Sequence, residues 1–377
     1  MTRTDSRRGR LALMVAHCAG MVDLVALPVW VGTLVTRYGF DPQQAGLLAT
    51  LFLAGAVVAS LVFAPRFHRL PTRKGAVLGF AGAALAFGAA ALSHGFMVLA
   101  VLHALGGLSA GAALSITHGT IARSANPHRL FAFVGIALGV FGTVFMGATP
   151  PLVASLGGPV FFAVFAGVMS IAALAAAIGF PEPDAREASA TGGRLDPVIW
   201  FGIVGIASMA LVQAMTFSFL ERVGSDHDFG LQAVTGVLVA GGIVNLAPAA
   251  LAALLEKRWI ARSVLMTGPL VQAILVAVIV NSTHFIAYAA AASVFAAVMI
   301  FTHTFAFGLL ARLEPTGRAM AATPAMLMAG AAIGPVLGGT LVKTAGYPSL
   351  GFVAFGVAAI AVFCMSRLPA RPTPHSC

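Results

Sequence analysis

Twelve apolar runs recur along the chain, separated by short polar breaks, and each is close to or above the roughly 20 residues that a helix needs to cross a bilayer. They cover residues 11–36, 43–65, 74–93, 97–122, 130–153 and 159–180, then 198–221, 229–255, 262–281, 285–311, 317–343 and 348–368. Inside hydrocarbon every backbone N–H and C=O must be satisfied by the chain itself, so runs of this kind are helices. Composition agrees: of 377 residues 59% are hydrophobic and 9% charged, too few charges to clothe a water-facing surface. The expected fold class is an all-α membrane protein with twelve transmembrane helices.

The longest polar stretch inside the chain, 181–197, divides these helices six and six. The expected organisation is an N-terminal tail (1–10), a six-helix bundle (11–180), a central loop (181–197), a second six-helix bundle (198–368) and a C-terminal tail (369–377). With the N-terminus inside, nineteen of the 22 Lys and Arg residues fall on the inner side, and only Arg37, Arg222 and Lys343 fall outside. This positive-inside bias places both termini in the cytoplasm and the chain in the inner, cytoplasmic membrane. The formal net charge of +10 would suggest nucleic acid in a soluble chain. Here the cations sit in the breaks between spans, so the expected partner is the bilayer and no nucleic acid.

Arg3, Arg7, Arg8 and Arg10 precede the first run as in a signal peptide, but the run is too long and lacks a cleavage site, so it is read as a span. The three tyrosines, Tyr38, Tyr288 and Tyr347, fall at outer helix ends, where interfacial anchors belong. Cys18, Cys364 and Cys377 show no pairing pattern, so neither a disulfide nor a metal site is expected. Nothing requires more than a monomer.

Asp23 stands almost at the centre of the first run, whereas the other acidic residues fall in tails, connections or run margins. A charge at that depth costs at least about 2.5 kcal/mol, so such a residue is a functional candidate by default. The fourth run supplies His103 and His118 on one stripe with Gly107, Gly111 and Leu114, about 22 Å apart along the axis, so only one of them can neighbour Asp23. His103, toward the outer half, is the better partner. His118 lies toward the inner end, where snorkelling suffices. Further polar candidates are Gln213, Asn245 and His303, the last flanked by Thr302 and Thr304, with Trp30 on the same run as Asp23. His17 precedes Asp23 by six residues, which turns it about 120° away on a continuous helix, and it is read as packing. No Lys or Arg lies deep in any run, which disfavours a multivalent anion as substrate.

Local motifs add to this pattern. After the second run stands Ala64-Pro65-Arg66-Phe67-His68-Arg69-Leu70-Pro71-Thr72-Arg73-Lys74; the fourth run has His103 followed by Gly107 and Gly111; the eleventh carries Gly330-Ala-Ala-Ile-Gly334-Pro335-Val-Leu-Gly338-Gly339. Twelve helices in two sets of six, a basic segment after the second, and this glycine-proline pattern resemble the major facilitator superfamily over nearly the whole chain, in particular its proton-coupled drug and solute exporters. The chain departs from that family's motifs where His68 replaces an acid, where Ala64 and Pro71 replace glycines, and where His103 replaces an arginine. The resemblance implies two pseudo-symmetric bundles and a central cavity lined by the first, fourth, seventh and tenth helices. It implies gating or packing roles for His68, Arg69, Arg73, Gly107, Gly334, Pro335 and Gly338, although glycines at helical spacing equally serve close packing.

The expected function is secondary active transport of a small solute by alternating access. The leading expectation is proton-coupled export of a neutral, lipophilic or weakly cationic compound, with Asp23 and His103 coupling to protons and Asp23, Trp30, Gln213, Asn245 and His303 meeting substrate. The alternative is uptake of a small organic solute such as an organic acid by proton symport, with His103 and His303 as its cationic partners; sodium could replace the proton in either case. No H-E-x-x-H, G-x-S-x-G or phosphate-binding loop is present, so neither an enzyme nor a cofactor is expected, and a non-transporting receptor is the remaining class.

Overall fold

The computed structural model describes residues 3–63, 66–67, 71–124, 126–182, 196–256, 258–314 and 323–369. Among them twelve helical spans are long and apolar enough to cross a membrane. The chain divides into two compact units, Met1–Ala190 and Thr191–Cys377. In the first, α1 (Arg7–Gly20) and α2 (Val22–Tyr38) together make the first span, followed by α3 (Pro42–Phe63), α4 (Thr72–Ala91), α5 (Phe96–Ala122), α6 (Pro127–Leu156) and α7 (Pro159–Gly179). In the second, α8 (Pro197–Phe217) and α9 (Leu220–Asp226) make the seventh span, and α10 (Leu231–Val244) with α11 (Pro248–Leu255) the eighth. Then come α12 (Ala261–Asn281), α13 (Phe285–Leu313), α14 (Thr323–Ala345) and α15 (Pro348–Ser366).

The helix ends follow from local sequence. Proline occupies the first turn of α6, α7, α8, α11 and α15, where its missing N–H costs nothing. Ser6, Asn126 and Asp196 cap α1, α6 and α8 by accepting from Gly9, Arg129 and Val198 amides. Gly39 ends α2 in the left-handed region (φ 69°), a conformation that strains any residue with a Cβ.

Leu78, Leu85, Ile286 and Phe352 are each more than 70% exposed, the inverse of a soluble surface and the expected face toward lipid. Helices therefore cannot associate by hiding apolar area from water and rely on close packing instead. In the first unit α3 and α5 meet at backbone distance: a Cβ on Gly107 would stand 2.0 Å from the Phe52 carbonyl oxygen, and one on Gly111 2.4 Å from Ala56 Cα. In the second unit α14 packs the same way on α8, where a Cβ on Gly330 would lie 2.0 Å from the Ala207 oxygen and one on Gly334 2.6 Å from the Met215 nitrogen. The glycines of the two motifs are thus points of helix contact inside each unit.

In the segment after the second span, Arg66 donates to the Val62 carbonyl, Phe67 packs on Gly119 and Arg123, and Arg73 donates to the Ala177 carbonyl in the last turn of α7. His68 and Arg69 lie outside the described residues. So do residues 317–322, the start of the expected eleventh run. Tyr288 is not the interfacial anchor expected of it. It is fully buried, and its hydroxyl donates to the Leu220 carbonyl at 2.7 Å, because the seventh span continues to Asp226 and covers it.

Replacing Gly107 with Ala should lower stability by about 1–3 kcal/mol, since the added methyl meets backbone that cannot swing aside. Denaturant unfolding of the purified protein would show it; an unchanged midpoint would mean that α3 and α5 separate freely.

Candidate functional site

In the first unit the polar groups cluster around the broken first span. The break falls at Met21 (φ −106°, ψ 20°): the Met21 amide still bonds the His17 carbonyl at 3.0 Å, and the Leu24 amide returns only three residues, to the Met21 carbonyl at 3.2 Å. Gly20 permits the close approach there, with Leu114 of α5 where a Cβ would be. Pro28, without an N–H, denies the Leu24 carbonyl its helical donor one turn further on. Asp23 sits between these two irregularities in the first turn of α2, at the positive end of that helix's dipole. It is 4% exposed, and its Oδ1 is buried without a hydrogen-bond partner among the described residues.

His103 does not pair with Asp23. Its ring is fully buried, with Nδ1 at 2.6 Å from the Leu99 carbonyl and Nε2 accepting from Trp30 Nε1 at 3.1 Å. The indole nitrogen can only donate and the carbonyl can only accept, so the ring is a neutral imidazole protonated at Nδ1. Trp30 is also fully buried, its ring set against Phe52, Phe87, Phe161 and Phe165. Both residues form part of the first unit's aromatic core.

His17, read from the sequence as packing, instead meets His118: Nδ1 of the first lies 3.0 Å from Nε2 of the second. This joins α1 to α5, with Phe131 of α6 edge-on to His118. Two neutral imidazoles in this geometry share one proton across the contact and keep a nitrogen each for another. The break at Met21 ends the continuous helical phase on which the 120° offset rested. The stripe shared by His103 and His118 was the available sign that both face the first span, His103 on Trp30 and His118 on His17.

In the second unit Gln213 accepts from Gln272 Nε2 at 3.2 Å, and the same amide donates to the Met209 carbonyl. Gln272, 1% exposed on α12, is a polar partner that the apolar ninth run conceals. Asn245 stands at the break between α10 and α11 with its Oδ1 buried and unpartnered among the described residues. His303 stacks at a tilt on Phe307, with the Met299 backbone one turn back as its nearest polar neighbour and Nδ1 buried without a well-formed hydrogen bond among the described residues. Glu221 is a second carboxylate inside a span: Oε1 accepts from Ser225 and Oε2 is buried without a partner. The expected end of the seventh run at residue 221 had placed it at a margin. Like Asp23, it lies in the first turn after a break, here at Ser218 and Phe219.

The profile of the Major Facilitator Superfamily matches residues 12–313. The chain belongs to this superfamily. Its structure is similar to that of a point mutant of the nucleoside transporter NupG, with a TM-score of 0.75 and 14% identity over 95% of this chain and 98% of that one. It is also similar to a bacterial homologue of the human lysosomal transporter Spinster in an inward-facing, unoccupied conformation, with a TM-score of 0.70 and 14% identity over 98% and 100% of the two chains. No curated protein matches it in sequence. At this identity the likeness is one of fold; the family match and the twelve apolar spans among the described residues make the chain a multi-pass membrane protein of that transporter superfamily.

Replacing Trp30 with Phe would leave His103 Nε2 without a donor in a dry core, and should cost about 1–3 kcal/mol of stability. Unfolding midpoints of the variant and the parent test this; equal midpoints would show that the hydrogen bond contributes nothing net.

Proposed function

We propose that the chain is a proton-coupled secondary transporter that exports a neutral, lipophilic or weakly cationic solute, with Asp23 as the group that exchanges the proton. One observation carries the reading: a carboxylate 4% exposed inside a membrane span, at a helix break, with an oxygen that no protein group among the described residues satisfies. Holding a carboxylate there with one oxygen unsatisfied is costly, and a proton or a bound cation relieves that cost. Competition between the two at one carboxylate makes an exchanger, as exposure of Asp23 alternates between the two sides of the membrane.

Other features support the same reading. No Lys or Arg is among the buried side chains of the described residues, so nothing fixed there would receive an anion. The His17–His118 pair, which joins the span of Asp23 to the fourth span, is a second group able to take a proton while keeping its hydrogen bond. Asn245 and His303 keep unsatisfied polar atoms, and Gln213 keeps an amide nitrogen without a partner among the described residues, so these three are the candidate contacts for solute. The symport alternative relied on His103 and His303 as cations; the Trp30 donor holds His103 as a neutral acceptor, which leaves only His303 for that role.

Replacing Asp23 with Asn should abolish transport driven by a pH gradient in proteoliposomes while leaving the protein folded and able to bind solute. Accumulation by the variant at the parent's level would refute the assignment.

A further inference from the structure

The second unit has a groove of about 670 Å³ between its eighth, ninth and tenth spans, which the transport reading does not use. Its volume lies in the range of ligand sites. The break between α10 and α11 opens it, with Ala247 and Pro248 in one wall. Along α12 the lining runs from Ile260 to Val271, about 16 Å of helix rise. That is about half of a 30 Å hydrocarbon core, the depth of one leaflet.

The two ends differ. Val271 and Val294 form the deep end, and both are exposed, so the groove opens sideways where lipid lies. Thr267 and Thr302 line the middle, but their hydroxyls bond the Ser263 and Val298 carbonyls of their own helices, so that Ser263, in the first turn of α12, is the one further hydroxyl residue in an otherwise largely apolar wall. Arg258 and Trp259 stand at the mouth, both exposed, in the connection between the eighth and ninth spans. Arg258 has no carboxylate partner among the described residues, whereas Arg312 nearby in the unit is paired with Glu256. A wall apolar for one leaflet's depth, ending in a free guanidinium beside an interfacial tryptophan, is complementary to an anionic amphiphile.

We propose that this groove holds an acyl chain of an anionic phospholipid whose phosphate is bound by Arg258. The lipid comes from the leaflet at the end of the bundle where this unit's first helix begins and its last helix ends. The site is independent of solute coupling, and its test does not depend on transport.

The full-length protein, purified in detergent, would be titrated with phosphatidylglycerol and, separately, phosphatidylcholine, with retained lipid counted by native mass spectrometry. Preferential retention of phosphatidylglycerol is expected. Arg258→Gln, at an exposed position that should not disturb folding, should weaken it about fivefold. Ala297→Phe, which fills the groove from α13, should remove the retained lipid while elution volume and helicity stay unchanged. Equal retention of the two lipids by the parent, or undiminished phosphatidylglycerol binding in both variants, would overturn the proposal.

Discussion

A polar group in hydrocarbon has only the protein to bond to, and the interior of both units is arranged around that constraint. Hydroxyls return to the carbonyl one turn back, as Thr33 does to Val29, Thr117 to Ala113 and Ser218 to Ala214. Larger groups find each other across helices: Trp30 with His103, His17 with His118, Gln272 with Gln213. At one of these contacts Gly20 lets α1 close on Leu114 of α5, the helix that carries His118. Against this background the unsatisfied atoms stand out, and three of them fall at irregular backbone. Asp23 Oδ1, Glu221 Oε2 and Asn245 Oδ1 each lie at or just after a break in the first, seventh or eighth span. Backbone irregularity and unpaired polar atoms are both expensive in a membrane, and the proposed handling of solute would give a reason for their coincidence within each unit.

Much of the fold was legible in the sequence because bilayer thickness imposes a length on every apolar run. Spans such as 159–180 and 262–281 agree with the observed Pro159–Gly179 and Ala261–Asn281 to within one residue at each end. Asp23 was legible for the same reason, as an acid amid apolar residues. Partners across helices were not. His103 was expected to serve Asp23, but its nitrogens are taken by Trp30 and Leu99, and no spacing along one helix reveals an indole arriving from another. The partner of His17 was hidden because a helical wheel assumes continuous phase, and Met21 interrupts it. Glu221 was hidden because the break at Ser218 and Phe219 carries the seventh span past the end of its purely apolar run.

The two units solve the same packing problem with different residues. In the first, an aromatic core around Trp30 holds a neutral histidine and keeps both nitrogens occupied. In the second, aliphatic side chains such as Ile206, Leu265 and Leu310 fill the centre, and Tyr288 ties the outlying turn of α9 back to the bundle. The second unit also retains a lateral groove at its broken eighth span, where the first unit's aromatic rings leave its own centre filled.

Exchange of a proton for solute at Asp23 is the central claim, and the most direct test is proton release from purified, weakly buffered protein on addition of a panel of lipophilic and cationic compounds. Release is predicted when a solute binds the parent, and none when the same solute binds Asp23→Asn. Binding without release in the parent, or equal release in the variant, would contradict the claim.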